Sequence, residues 1–123
     1  MAAITWEFKE TQDEANRILT YNKIQRKRPG KIYIVLQLDK QLESKMKQIN
    51  KLYVVNPDET VSSYMFKIRQ RGNLGPENAM IMFVGENHII PRQNDTLDSI
   101  SHQHRDKKDG FLYLYISGEN TFG

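Results

Sequence analysis

The chain has 123 residues, 38% hydrophobic and 27% charged, the length and composition of one globular domain with one core. No run approaches the roughly 20 apolar residues of a bilayer span, and the opening Met-Ala-Ala-Ile-Thr-Trp-Glu lacks a secretory pattern, so a cytosolic protein is expected. Cysteine is absent, which excludes disulfide frameworks, thiolate zinc sites and cysteine nucleophiles, and the +3 net charge comes entirely from residues 1–31.

Residues 1–30 are predicted helical, as one helix or two short ones. Ala15, Ile18 and Leu19 recur three to four apart among polar residues, Ile24 extends or restarts that stripe, and Pro29-Gly30 stops it. Residues 31–38, Lys-Ile-Tyr-Ile-Val-Leu-Gln-Leu, are β-branched and aromatic with near-continuous apolarity, which predicts a central strand covered on both faces. A charged connector with weak helical pattern spans residues 39–50, and Leu-Tyr-Val-Val at 52–55 is a shorter strand stopped by Asn56-Pro57-Asp58. Val61, Tyr64, Met65 and Ile68 then fall at i, i+3, i+4 and i+7, an amphipathic helix capped by Asp58 or Thr60 and ended at Gly72 or Asn73. Residues 79–84 read as a buried strand, Gly85 to Asn87 as a turn and His88 to Ile90 as a short return strand. Asp95 or Thr96 caps a short helix holding Leu97 and Ile100, residues 111–116 form the last strand, and Ser117 to Gly123 read as a mobile tail.

This order predicts an α+β domain in which a mixed sheet packs on one main helix, and the ubiquitin-like β-grasp is the simplest fold that has it. The expected organisation is a single domain over 1–123. Residues 1–30 are a helical extension, 31–116 the core and 117–123 a flexible conjugation tail.

Candidate chemistry is sparse. His102 and His104 stand two apart, His88 is distant, and no metal site is expected from that spacing. Nucleophile elbows, phosphate loops and dinucleotide fingerprints are missing, so no catalytic residue is assigned and the chain is not read as an enzyme. The carboxylates stand beside Lys or Arg or in turns, as solvated charges do. Asn94-Asp95-Thr96 matches a glycosylation triplet but reads as a turn before a helix. The basic stretch Lys23 to Lys31 has no interleaved aromatic platform, so it reads as a solvated helix face and no nucleic acid is expected.

The end of the chain is more specific. Residues 109–123, Asp-Gly-Phe-Leu-Tyr-Leu-Tyr-Ile-Ser-Gly-Glu-Asn-Thr-Phe-Gly, closely resemble the C-terminus of the GABARAP-type autophagy ubiquitin-like modifiers, including their yeast founding member. A second block runs from Thr60-Val61 through Ile68-Arg69-Gln70-Arg71 and Pro76-Glu77-Asn78-Ala79 to Phe83-Val84, and the likeness covers the whole chain as that of a divergent member. The resemblance implies a β-grasp with a four-stranded mixed sheet and two added N-terminal helices. It also implies a modifier whose Gly123 is joined to phosphatidylethanolamine, with no other cofactor. The implied partners are activating and conjugating enzymes, a processing or delipidating cysteine protease, and cargo receptors, with residence in the cytoplasm and, once lipidated, on the autophagosomal membrane. A glycine end suits this chemistry because a residue without Cβ threads a narrow channel.

A second implied activity is docking of aromatic-x-x-aliphatic motifs by addition of a strand to a sheet edge. By position in the family, Ile24, Tyr33, Val35, Leu52, Val54 and Phe111 would line the aromatic pocket, and Tyr53, Val55, Tyr64 and Lys67 the aliphatic one. Lys31, Lys51, Arg69 and Arg71 would meet acidic flanks. Tyr33 stands where the family has proline, Leu52 where it has lysine unless the register slips by one to Lys51, and Glu59 and Lys67 replace aliphatic residues of the second pocket. The alternatives are a ubiquitin-like peptide-binding module that is never conjugated, and a modifier attached to proteins.

Overall fold

A computed structural model describes residues 3–118, so Gly123 and the end of the expected tail lie outside the described residues. The N-terminal segment forms two helices, α1 (Glu7–Thr11) and α2 (Glu14–Lys27), and Asp13 caps the second by accepting from the Asn16 amide at 2.8 Å. The stripe expected on α2 is not its docking face: Ala15 and Leu19 are exposed and Ile18 is half-buried. The helix turns inward with Arg17, Tyr21 and Ile24, again at helical spacing. An inward arginine is invisible to hydrophobic periodicity, which explains the wrong face.

The sheet consists of β1 (Ile32–Leu38), β2 (Leu52–Val55), β3 (Ile81–Val84) and β4 (Leu112–Ser117) in the order β2-β1-β4-β3. β1 runs parallel to β4, and the two outer pairings are antiparallel. Strand alternation sends Ile32, Ile34 and Leu36 to one face and Tyr33 and Val35 to the other. The first face packs on α4 (Val61–Arg71) through Val61, Tyr64, Met65 and Ile68. The second packs on Trp6, Tyr21, Ile24 and Phe8, so the central strand is covered on both sides as its sequence predicts. The connector after β1 contains α3 (Lys40–Lys45), and α5 (Leu97–His104) precedes β4. Thr60 caps α4 and Thr96 caps α5, each accepting from the amide three residues on, so the glycosylation-like triplet ends in a helix cap.

The expected return strand at 88–90 does not form. Gly85 and His88 both adopt left-handed backbone, at φ 65° and 55°, and the tight turn leaves only a bridge between Val84 and Ile89.

Two carboxylates of the last connector are not solvated surface charges. Asp109 is 3% exposed and accepts from Arg17 Nε at 2.9 Å, from the Phe111 amide at 2.9 Å and from the Tyr113 hydroxyl. Burial, then that bond and the Asp109 charge, push the Tyr113 phenol far up, which keeps it a donor. Lys9 reaches Asp106 at 2.7 Å and Glu86 at 3.2 Å while lying over the Tyr113 ring at 4.7 Å. These contacts fasten both N-terminal helices to the sheet. Asp39 caps α3 through the Leu42 amide at 2.7 Å and also accepts from the Ser117 hydroxyl and the Gly118 amide, both at 2.8 Å. Burial opposes the charge of Asp39, but these donors outweigh it and hold its carboxyl below the usual carboxylate range.

Replacing Arg17 by Met should cost about 3 kcal/mol, because it leaves the Asp109 charge buried without its cation; a lower urea midpoint with unchanged slope measures this. Asp39 and Asp106 both titrate below their unfolded values, so their contribution is complete above about pH 4 and is lost as pH falls through the folded values. Asp39→Asn should therefore lower stability at neutral pH and flatten its acid dependence, as read from urea melts across that range.

Candidate functional site

β2 stands at the edge of the sheet, paired with β1 on one side, and its residues alternate between two different surroundings. The register places Leu52 opposite Val35 and Tyr53 opposite Ile34. Leu52 and Val54 therefore face the N-terminal helices, and Tyr53 and Val55 face α4. Lys51 lies outside the strand, and its ammonium pairs with Glu7 at 2.9 Å.

The six residues assigned to an aromatic pocket meet in one cluster, in two different ways. Tyr33, Val35 and Phe111 are interior. Tyr33 lies edge-on to Tyr21 at 5.2 Å and donates its hydroxyl to the Arg28 carbonyl at 2.6 Å, while Phe111 packs edge-on against Phe8 and Tyr21. Ile24, Leu52 and Val54 are half-buried and form the accessible apolar strip beside the strand edge. Lys31 is close by and donates to Asn56 Oδ1 at 2.6 Å.

On the other side, Tyr53, Val55, Tyr64 and Lys67 line one cavity of about 230 Å³. Arg28, Asn56, Glu59, Ile68 and Arg71 complete its wall together with Val54, which borders it from the strand edge. Lys67 pairs with Glu59 at 2.7 Å, and the Glu59 side chain is only 10% exposed whereas that of Lys67 is 62% exposed. Arg71 lies over the Tyr53 ring at 5.5 Å. Tyr64 is buried, with its ring edge-on to Tyr53, and burial together with Tyr53 and Glu59 pushes its phenol well up.

Arg69 does not join this group. Its Nη1 donates to the carbonyls of Gly75 and Asn78, both at 2.8 Å, and so braces the loop after α4. Sequence reasoning missed Arg28, which looked like one more member of a solvated basic stretch. It also missed the bond between Glu59 and Lys67, because Glu59 precedes the helix and no helical spacing links the two.

The other functional candidate, Gly123, lies beyond the described residues, but the chain's approach to it is defined. Ser117 pairs with Ile81 as the end of β4, and Asp39 holds Ser117 and Gly118 beside the N-terminus of α3.

Comparisons with known proteins agree on one family. The family model described as autophagy protein Atg8, ubiquitin like, matches residues 16–123. Autophagy-related protein 8 of Neosartorya fischeri and that of Aspergillus niger are each 45% identical over 73 residues, which is 59% of this chain and 59% of each relative. The matched stretch thus spans about three fifths of the curated relatives. The crystal structure of Trypanosoma brucei ATG8 superposes with a TM-score of 0.78 over 98% of this chain and 100% of that one, at 23% identity, and shows the same fold.

The asymmetric burial of the Glu59–Lys67 pair gives a stability test. Lys67→Met should cost about 1 kcal/mol in urea denaturation because it strands the better-buried Glu59 carboxylate, whereas replacing both residues by Leu should restore stability.

Proposed function

This chain belongs to the Atg8 family of ubiquitin-like autophagy proteins, and we propose that it is a lipid-conjugated modifier that also docks extended peptides. The observation that carries this reading is that the family match runs through the Phe122-Gly123 end itself. In this reading ATP adenylates the Gly123 carboxylate with release of pyrophosphate, a cysteine of the activating enzyme displaces AMP to form a thioester, the acyl group is exchanged onto a cysteine of the conjugating enzyme, and the amine of phosphatidylethanolamine attacks it there. An amide bond forms and the enzyme thiol leaves. The chain supplies the acyl group and the enzymes supply the nucleophilic sulfur, so a chain without cysteine is suited to the donor role.

Two features of the structure support the roles. Asp39 secures the last turn of chain before residues 119–123, so a tail handed between enzymes leaves from a fixed point. The exposed edge of β2 has an apolar strip on one side and a cavity on the other, the arrangement that strand addition with two alternating anchors requires. Among the described residues no helix is long and apolar enough to cross a membrane. Attachment then comes from the lipid's acyl chains, and basic residues of α2 add about 1 kcal/mol each near an anionic surface. The protein would divide between cytoplasm and autophagosomal membrane according to its conjugation, and would be released by a delipidating cysteine protease.

The full chain, incubated with the family's activating and conjugating enzymes, ATP and phosphatidylethanolamine liposomes, should gain the mass of one phospholipid, and the chain lacking Gly123 should gain none. Intact-protein mass spectrometry measures both. No adduct from enzymes active on a standard substrate would reduce the reading to a peptide-binding module, and an adduct on a protein amine would make it a protein-attached modifier.

A further inference from the structure

The cavity beside α4 is not apolar. Three of its wall residues, Arg28, Lys67 and Arg71, are cationic against one carboxylate, Glu59. Lys67 is already bonded to that carboxylate, while Arg28 and Arg71 have no carboxylate partner among the described residues. The second observation is independent of charge. The Tyr64 hydroxyl is fully buried and has no hydrogen-bond partner among the described residues, and the groups that act on it electrostatically are Tyr53, Glu59 and Arg71, all in the same wall. A buried donor left without an acceptor costs stability and marks a place where a ligand atom can supply one.

We propose that this cavity takes the carboxylate of an aspartate or glutamate side chain as the second anchor of the docked peptide, in place of an aliphatic side chain. The inference rests on the peptide-docking reading above. A carboxylate only accepts hydrogen bonds, and the groups without a carboxylate partner here can each donate one, the Tyr64 phenol through its hydroxyl and Arg28 and Arg71 through their guanidinium groups. A leucine in the same place would cover the Glu59–Lys67 pair, displace its water and leave the Tyr64 hydroxyl unpaired. The charge on Glu59 does not repel the ligand decisively, because Lys67 neutralises it at 2.7 Å and the two arginines leave the wall net positive.

Three peptides identical except for Leu, Glu or Gln at the second anchor, after a fixed aromatic residue, test this by calorimetry on the full chain. The Glu peptide should bind about tenfold tighter than either other, with an advantage that shrinks in high salt. Tyr64→Phe, which removes only the hydroxyl, should cut that advantage about threefold, and the double variant Arg28→Gln with Arg71→Gln should abolish it. If the Leu peptide binds the unmodified chain as tightly as the Glu peptide, the carboxylate specificity is wrong and peptide docking stands. If none of the three binds, docking itself falls and this inference with it.

Discussion

The bond between Arg17 and Asp109 is the constraint on which the arrangement of the functional surface depends. A strand as apolar as β1 has to be covered on both faces, yet the segment available for the second face is a polar, basic stretch with few aliphatic residues. Aromatic rings supply the area, since Phe8 and Tyr21 meet Phe111 and Trp6 meets Tyr113, all edge to face, but rings alone do not fix the rotation of α2 about its axis. Arg17 does. Its guanidinium has one buried carboxylate to reach, and its Nη1 also donates to the Gln12 carbonyl at 2.8 Å, so the helix has one docked orientation. Asp109 in turn accepts from the Phe111 amide just before β4 and from the Tyr113 side chain on it, so its lone pairs are satisfied and its burial is tolerated. The rotation set by this bond is what turns Ile24 toward Leu52 and Val54.

The two sides of β2 then acquire opposite chemistry from one four-residue strand. Residues 52 and 54 pack on the ring-lined apolar side and residues 53 and 55 on a wall of arginines and one ion pair, with Val54 also bordering that second cavity at the strand edge. An added strand offers side chains alternately to the same two sides. Tyr33 contributes to this difference by filling the space between α2 and β1 with a ring whose hydroxyl is bonded to the Arg28 carbonyl. That bond fixes the backbone at Arg28, whose side chain belongs to the opposite cavity, and so links the two sides of the edge.

Much of this was legible in the sequence, and the parts that were not share a cause. The helix from Thr60, the strands at 32–38 and 52–55 and the caps at Thr60 and Thr96 follow from periodicity and cap chemistry, which are local. Which side of the sheet each β2 residue faces follows from strand alternation once the register is fixed. The inward face of α2 was misread because Arg17 is buried by a residue 92 positions away. The return strand at 88–90 was misread because two left-handed residues, one of them a histidine, are a tertiary choice. Arg69 is implied at the site by the family resemblance, and its Nη1 is bonded to two carbonyls of the following loop. Pairings such as that of Arg17 with Asp109 leave no periodic trace in the sequence.

The placement of the two proposed activities on the sheet also follows from topology. The tail leaves from β4, which is paired on both sides, with β1 in parallel and β3 in antiparallel register, and Asp39 ties its last residues to α3. A pull on the tail is therefore carried by the best-supported strand of the sheet, and by hydrogen bonds that must break together. The edge proposed to accept a peptide is β2, separated from β4 by the whole width of β1. A strand added at β2 lengthens the sheet without touching the pairing that holds the tail. Tethering and docking can thus occur at once on one small domain, which an adaptor between a membrane and its cargo requires.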